Sequence, residues 1–365
     1  MFRKHEIQHA RAGQYPLFVS NYSMVDRLLH RLALNSVAIA EMSFDFDQVT
    51  IKRSPDEILN RRHVFVSGLA RSGSTVLMRQ FYATGQFVSL TYRDMPFVLA
   101  PNIWRLVSRT SRRDIAPTER AHGDTIPVGS DSPESLDEVF WRIFAGRDYI
   151  SNDGLKPHSP SQELLTKYIR YVNAILSAQG SRTQRYLSKN NNNILRLGAI
   201  HRAFPHGLIL IPFRDPLQQA QSLFFQHVKF SQMQSHCEFI LNYMTWLGHH
   251  EFGLGHRPFR LKESACCPYA MDTLNYWLHE WCEVYSWLAH SRPEAALFVC
   301  YEDLCSRPQT WKRLMDIADS AVESACGDSL KLSTRLLVNR FDAQLANGAM
   351  EIYTRLVTLS RNVLG

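Results

Sequence analysis

The sequence predicts an α/β fold: a three-layer α/β/α arrangement on a mainly parallel central sheet, with a P-loop-like anion-binding loop. Three observations carry that expectation. Short apolar runs alternate with stretches of helical periodicity along most of the chain. The run His63-Val64-Phe65-Val66-Ser67 leads directly into Gly68-Leu69-Ala70-Arg71-Ser72-Gly73-Ser74-Thr75, which reads as strand, glycine-bearing turn and helix start. The wholly apolar run 207–213 ends in Arg214-Asp215-Pro216, a helix-start signal with proline in the first turn. Strands alternating with helices imply right-handed crossovers. Ligands of such sheets lie at the carboxyl ends of the strands.

The elements follow in order. Residues 1–60 form an N-terminal helical extension packed on the core. Ser23 with Asp26 resembles a capping box, and Val25, Leu28, Leu29, Leu32 and Val37 recur at helical spacing as its packing face. Residues 61–320 form the α/β domain, and 321–365 a C-terminal helical segment. After strand one, a helix runs through 76–82 and stops at Gly85; residues 87–90 are a short second strand. Residues 108–133, rich in Arg, Ser, Asp, Gly and Pro, read as a surface loop. Segments 133–144 and 162–178 read as helices. A third strand spans 184–188 and ends in Lys189, followed by a helix over 194–204. A further helix begins at Pro216, and from about Phe230 to Tyr269 the Gly, His and Pro content predicts a long irregular insertion. Helix 271–290 places Trp277, Trp281, Tyr285 and Leu288 at core spacing, and 296–300 is the last strand.

Composition narrows the function. The 365 residues are 45% hydrophobic, enough for a sizeable core, and carry a formal net charge of +7. That charge suits a polyanionic ligand, but no lysine-rich tail or basic-aromatic array points to nucleic acid. The seven cysteines (237, 266, 267, 282, 300, 305 and 326) are odd in number and form no C-x-x-C, which predicts a reducing compartment rather than a disulfide framework. His249, His250 and His256 stand near Cys266 and Cys267, but their spacing fits no standard metal pattern, so no metal is expected. The first residues lack a signal-peptide core and no run is long enough to span a bilayer, so the chain reads as soluble and cytoplasmic.

The chemistry lies at the strand ends. Gly68 and Gly73 have the G-x-x-x-x-G spacing of a phosphate cradle, where backbone N–H groups and a helix N-terminus face an anion. Ser74 stands where a nucleoside-triphosphate loop places lysine, and the loop's cation is Arg71. Arg214 closes a strand, and Ser222 lies eight residues on, two turns into the next helix. An arginine fork with a hydroxyl is a second anion station. Lys189 ends the strand between them in sequence.

These paired motifs resemble the sulfotransferases that use 3′-phosphoadenosine 5′-phosphosulfate (PAPS). The resemblance covers about residues 62–230 and 295–312. It implies a phosphosulfate-binding loop at Ala70, Arg71, Ser72, Gly73, Ser74 and Thr75, and a 3′-phosphate site at Arg214 and Ser222. Tyr301, in Tyr301-Glu302-Asp303-Leu304, is then expected near the adenine. An arginine in the first loop is the style of the tyrosylprotein and Golgi carbohydrate enzymes, while the absent membrane anchor suits a bacterial-type soluble member. By the same resemblance Lys189 serves the transferring sulfonate, and Asp94, the nearest carboxylate after strand two, is the general base; His122, Glu138 and His249 are rival bases. Sulfonate transfer resembles phosphoryl transfer, a loose in-line displacement that needs charge stabilisation. PAPS leaves as adenosine 3′,5′-bisphosphate (PAP), with no metal required. The acceptor is a hydroxyl of a glycan, peptide or small alcohol. The segments 108–133 and 231–269 are its expected walls, and Arg105, Arg109, Arg112 and Arg113 favour an acidic one. The alternatives are a P-loop kinase, which would prefer ATP, and a catalytically silent nucleotide-binding scaffold, which would bind without turnover.

Overall fold

The computed structural model describes residues 23–108, 118–119, 127–128, 133, 135–180, 182–262, 267–320, 332 and 341–365. Five strands make the central sheet: β1 (Val64–Val66), β2 (Phe87–Val88), β3 (Arg185–Lys189), β4 (Leu208–Phe213) and β5 (Ala296–Cys300). Their order is β2-β3-β1-β4-β5 and every pairing is parallel. The chain leaves β1 toward one edge and later crosses to the other. A crevice therefore opens at the carboxyl end of β1, where such sheets bind ligands. Two antiparallel ribbons, 118–119 with 127–128 and 150–151 with 154–155, lie apart from this sheet.

Both faces of the sheet are covered, so its strands are apolar on both sides. Val64, Val66, Leu187, Leu208 and Leu210 face one layer with Leu77, Met78 and Phe81 of α3 (Ser74–Ala83). Phe65, Tyr186, Ile209 and Ile211 face the other, rich in aromatic rings. There Phe140 stacks on Tyr171, with ring centres 5.1 Å apart. The last helix, α13 (Ala343–Leu364), lies along β5 and closes that sheet edge.

The N-terminal helices α1 (Met24–His30) and α2 (Val37–Val49) form, and the Ser23–Asp26 capping box is present. Their packing face differs from the expected one. Val25, Leu28, Leu29, Leu32 and Val37 are exposed, while His30, Ala33, Leu34, Ala40 and Phe44 are buried. A π-turn at Arg31–Asn35 joins the two helices and shifts the helical phase. The helix expected from 133 begins at Glu138, as α5 (Glu138–Tyr149), after α4 (Pro101–Ser108). α6 (Gln162–Ala178) matches its expected bounds. The helix expected over 194–204 is a 3-10 turn (Asn191–Arg196) followed by α7 (Leu197–Ala203). The irregular insertion expected after Phe230 is corrected most. α8 (Pro216–His236) runs on past it, and α9 (Glu238–Trp246) follows, its Ile240, Tyr243 and Trp246 buried at helical spacing. Most of 108–133, with Arg109, Arg112, Arg113 and His122, lies outside the described residues, as do Cys266 and Cys326.

One buried charge organises the functional end of this framework. The Glu138 carboxylate accepts from Arg196 at 3.0 and 3.2 Å, from Asn190 Nδ2 at 2.7 Å, and from the Tyr149 hydroxyl. Arg196 lies between the rings of Trp141 and Tyr149, 4.7 Å from each centre. The neighbouring Asp137 accepts from Ser188 Oγ at 2.6 Å and Tyr186 OH at 3.3 Å. The start of α5 thus clamps the end of β3. Removing one partner of such a buried pair leaves the other uncompensated and costs about 3–5 kcal/mol. Glu138→Gln is expected to lower the unfolding free energy, read from urea titration, by an amount in that range; an unchanged free energy would show that the pair contributes nothing net.

Candidate functional site

The loop after β1 is held in a shape few residues adopt. Gly68 lies so close to β4 that a Cβ there would stand 2.6 Å from the Pro212 carbonyl oxygen. Arg71 (φ 65°) and Gly73 (φ 88°) both take the left-handed region. For arginine this is a strained conformation of the kind that collects at functional turns. Gly73 is also the N-cap of α3, and no side chain caps that end, so the first-turn N–H groups are left for an anion. A Cβ on Gly73 would stand 2.3 Å from the Tyr301 ring, which therefore packs directly over the loop.

The second station is stitched to the first. Arg71 Nε donates to Ser222 Oγ at 3.0 Å. Gln219 Nε2 donates to the Ala70 carbonyl at 3.0 Å, and Trp281 Nε1, on helix α10 (Leu274–Ser291), donates to Gln219 Oε1 at 3.0 Å. Asp215 caps α8 through Gln218 N, and its own N–H donates to Glu302 Oε1 at 2.9 Å. Glu302 and Tyr301 open α11 (Tyr301–Ser306), directly after β5. The Arg214 guanidinium lies 5.7 Å from the centre of the Tyr301 ring, and its Nε is buried without a hydrogen-bond partner. The structure therefore gathers Ala70, Arg71, Ser72, Gly73, Ser74, Thr75, Arg214, Ser222 and Tyr301 at one end of the sheet. An orphaned guanidinium N–H and an uncapped helix N-terminus fit a ligand with two anionic ends.

Lys189 joins this end through the sheet register, its Cα opposite Val66, the last residue of β1. Beside it lies a pair that sequence reasoning caught only in half. His249 Nδ1 is 3.5 Å from Glu251 Oε2, and Asn191 Nδ2 donates to Glu251 Oε1 at 2.8 Å. Burial pushes the Glu251 carboxyl up, but the charges of His249 and Lys189 and the hydrogen bonds from His249 and Asn191 prevail and hold it well below the usual carboxylate range. His249 was a rival base; Glu251 and Asn191 went unnoticed. The run His249-His250-Glu251 was the available signal.

Asp94 has a different occupation from the one expected. It is 1% exposed; its Oδ2 accepts from Thr91 N at 2.8 Å and Thr91 Oγ1 at 3.2 Å, and its Oδ1 accepts from Arg105 Nε at 3.0 Å. It caps its own 3-10 turn and neutralises Arg105, so both of its oxygens are engaged within the protein. Arg105 is likewise engaged rather than offered to an acceptor. Glu138 is enclosed by the partners given above.

Behind the loop lies a cavity of about 30 Å³, roughly one water molecule. Its walls include Leu69, Ala70, His250, Glu251, His256 and Glu280. Burial pushes the Glu280 carboxyl up to about 7. Burial and the nearby His227 hold His256 down to about 4. With its Nδ1–H donating to the His250 carbonyl, His256 accepts from Tyr276 OH at 2.9 Å. Among the described residues no group of three or more potential ligands is placed to hold a metal, and no helix is long and apolar enough to cross a membrane.

A family model described as "Sulfotransferase family" matches residues 63–321. No curated protein sequence matches the chain. Among solved structures, sulfotransferase STF1 from Mycobacterium tuberculosis H37Rv is similar with a TM-score of 0.50 at 12% identity, covering 92% of this chain and 87% of that one. Sulfotransferase STF9 from Mycobacterium avium has a TM-score of 0.42 at 14% identity, covering 87% of this chain and 75% of that one. A sulfotransferase from Alicyclobacillus acidocaldarius has a TM-score of 0.38 at 12% identity, covering 83% of this chain and 96% of that one. At these identities the likeness to STF1 concerns the fold.

The buried titrating groups set opposite pH trends. His63 and His158, held to about 3 by burial, and His256, held to about 4, stay neutral in the fold while the unfolded chain protonates near 6.5. Their contribution is therefore lost as pH falls below about 6.5. Glu280 binds its proton more tightly folded than unfolded, so its contribution is present at low pH and lost as pH rises through about 7. We expect Glu280→Gln to gain stability relative to the parent as pH rises from 5 to 8, read from paired thermal melts. A pH-independent difference would contradict the burial of this carboxyl.

Proposed function

The chain belongs to the sulfotransferase family, and on that premise we propose that it transfers a sulfonate from PAPS to a hydroxyl of an acceptor. The observation that carries the reading is the Arg71–Ser222 hydrogen bond, which joins the two anion stations. A nucleoside triphosphate has its charge in one chain of phosphates. PAPS has a phosphosulfate at the 5′ position and a separate phosphate at the 3′ position, so it suits two stations. The loop Ala70–Thr75 would hold the phosphosulfate with its N–H groups and the start of α3. Arg214 and Ser222 would hold the 3′-phosphate, and the Tyr301 ring offers a face to the adenine.

In the transfer the sulfur–oxygen bond to the phosphate breaks as a sulfur–oxygen bond to the acceptor forms. PAP leaves with the bonding electron pair. Arg71 and Lys189 offset charge on the sulfonate and the leaving phosphate. The acceptor's proton goes to His249 in its neutral form, and the imidazolium that results pairs with Glu251, whose carboxylate orients the ring. This assignment replaces Asp94, whose oxygens are occupied. The chain reads as a PAPS-dependent enzyme of bacterial type, with a glycan, peptide or small alcohol as acceptor.

Radiolabelled transfer from PAPS to a mixed panel of carbohydrate, peptide and small-alcohol acceptors, read by mass spectrometry, tests the activity. Arg71→Ala is expected to abolish transfer. Arg214→Ala should weaken PAP binding about 10–100-fold, the worth of a charge-assisted hydrogen bond. His249→Ala should lower turnover by roughly 10²–10⁴ with PAP affinity unchanged. Undiminished transfer in both arginine variants would sink the assignment. Preference for ATP would support a kinase, and PAP binding with no turnover on any acceptor a silent scaffold.

A further inference from the structure

Helix α13 lies beyond residue 321, where the family match ends, and packs along β5. Ala349, Tyr353, Leu356, Ser360 and Leu364 recur at helical spacing and form its inward stripe. Three of its side chains reach the turn where β5 passes into α11. Ser360 Oγ accepts from Cys300 N at 3.3 Å. Arg361 pairs with Asp303 at 2.8 Å through both Nε and Nη2. Tyr353 OH donates to Glu302 Oε2 at 3.2 Å. The first two contacts fasten the helix to the sheet edge. The third reaches the donor side, because Glu302 also holds Asp215 N.

Tyr353 brackets Arg214 from both sides. Its ring packs edge-on against Phe213, the residue before Arg214, with ring centres 5.8 Å apart. Its hydroxyl holds Glu302, whose other oxygen accepts from the residue after Arg214, Asp215 N, at 2.9 Å. The Cys300 thiol donates to the Tyr353 side of the same carboxylate at 3.5 Å. Burial pushes the Cys300 thiol up to about 12 and raises the Tyr353 hydroxyl further, so both keep their protons and donate. All three donors are neutral, so Glu302 is satisfied without drawing on the Arg214 guanidinium. Burial pushes the Tyr301 hydroxyl up to about 12; of the nearby charges Arg214 pulls it down and Glu302 pushes it up, so both stand beside the same ring.

We propose that Tyr353 is a positioning residue for the 3′-phosphate, holding Glu302 on the Asp215 N–H and so leaving the Arg214 guanidinium to the nucleotide. The inference rests on the donor reading above. A carboxylate that loses its hydroxyl donor turns to a cation within reach. A charge-assisted pair with Arg214 would compete with the phosphate for the same fork. The buried Arg214 Nε, which has no hydrogen-bond partner, is the atom such a pair would claim. Preference for a 3′-phosphate would therefore depend on a helix outside the matched residues 63–321.

Calorimetric titration of the full chain with PAP and with adenosine 5′-phosphate tests this, with a thermal melt of each variant. Tyr353→Phe keeps the ring on Phe213 and removes the hydroxyl. It should weaken PAP binding about tenfold, the worth of one hydrogen bond to a charged group, and leave adenosine 5′-phosphate affinity unchanged. Adding Glu302→Gln should restore most of the PAP affinity, because a neutral amide still accepts from Asp215 N but cannot pair with Arg214. Arg361→Ala breaks another contact of the same helix and should lower the melting temperature with the PAP preference intact. Undiminished PAP affinity in Tyr353→Phe, an equal loss for both nucleotides, no recovery in the double variant, or the same lost preference in Arg361→Ala would each overturn the inference. A parent chain that binds both nucleotides equally would overturn the donor reading and the inference with it. A parent that prefers PAP, beside a Tyr353→Phe that keeps the preference, would overturn the inference alone.

Discussion

A carboxylate buried without water must be met by donors from several directions, and at Glu138 those donors tie the functional end of the sheet together. Arg196 and Asn190 reach it from the segment after β3, and Tyr149 from the far end of its own helix. Gly248 packs against its side chain so closely that a Cβ would lie 2.6 Å from Glu138 Cγ. Asn192 Nδ2 then donates to the Gly248 carbonyl at 3.0 Å. Two neighbours of this network carry the proposed chemistry: Lys189 precedes Asn190, and His249 follows Gly248. Glu138 touches neither of these two side chains, yet it holds the backbone beside both.

A second constraint acts on the donor side. The parallel sheet delivers the ends of β1, β4 and β5 to one crevice, and three short-range devices lock them there. Gln219 and Trp281 hold the Ala70 carbonyl, Glu302 holds the Asp215 N–H, and Tyr301 covers Gly73. Each residue of Tyr301-Glu302-Asp303 has a separate task, since Asp303 pairs with Arg361 of α13 at 2.8 Å. The loop's unusual backbone is thereby fixed before any ligand arrives, which is the preorganisation that stabilising a developing charge requires.

Much of this was legible in the sequence, and the reason is locality. The glycine spacing of 68–75, the Asp215-Pro216 start and the apolar run of β4 are signals written in neighbouring residues, and all lie where expected. Asp94 was chosen on position alone; the Thr91 cap and the Arg105 pair that engage its oxygens are contacts that sequence position does not reveal. The exposed stripe of α1 failed because a π-turn shifts the phase without leaving a mark in composition. α9 was hidden by the glycines and proline downstream of it. Glu251 lies 62 residues from Lys189 in sequence (251 − 189), a proximity only the crossover topology creates.

The central claim is that two joined anion stations recognise a nucleotide phosphorylated at both its 3′ and 5′ positions. Isothermal titration of the same preparation with PAP, adenosine 5′-phosphate and ATP addresses it most directly. PAP should bind at least about tenfold more tightly than adenosine 5′-phosphate, the contribution of a fixed arginine contact to the 3′-phosphate, and more tightly than ATP. Equal affinity for PAP and adenosine 5′-phosphate, or a preference for ATP, would contradict it.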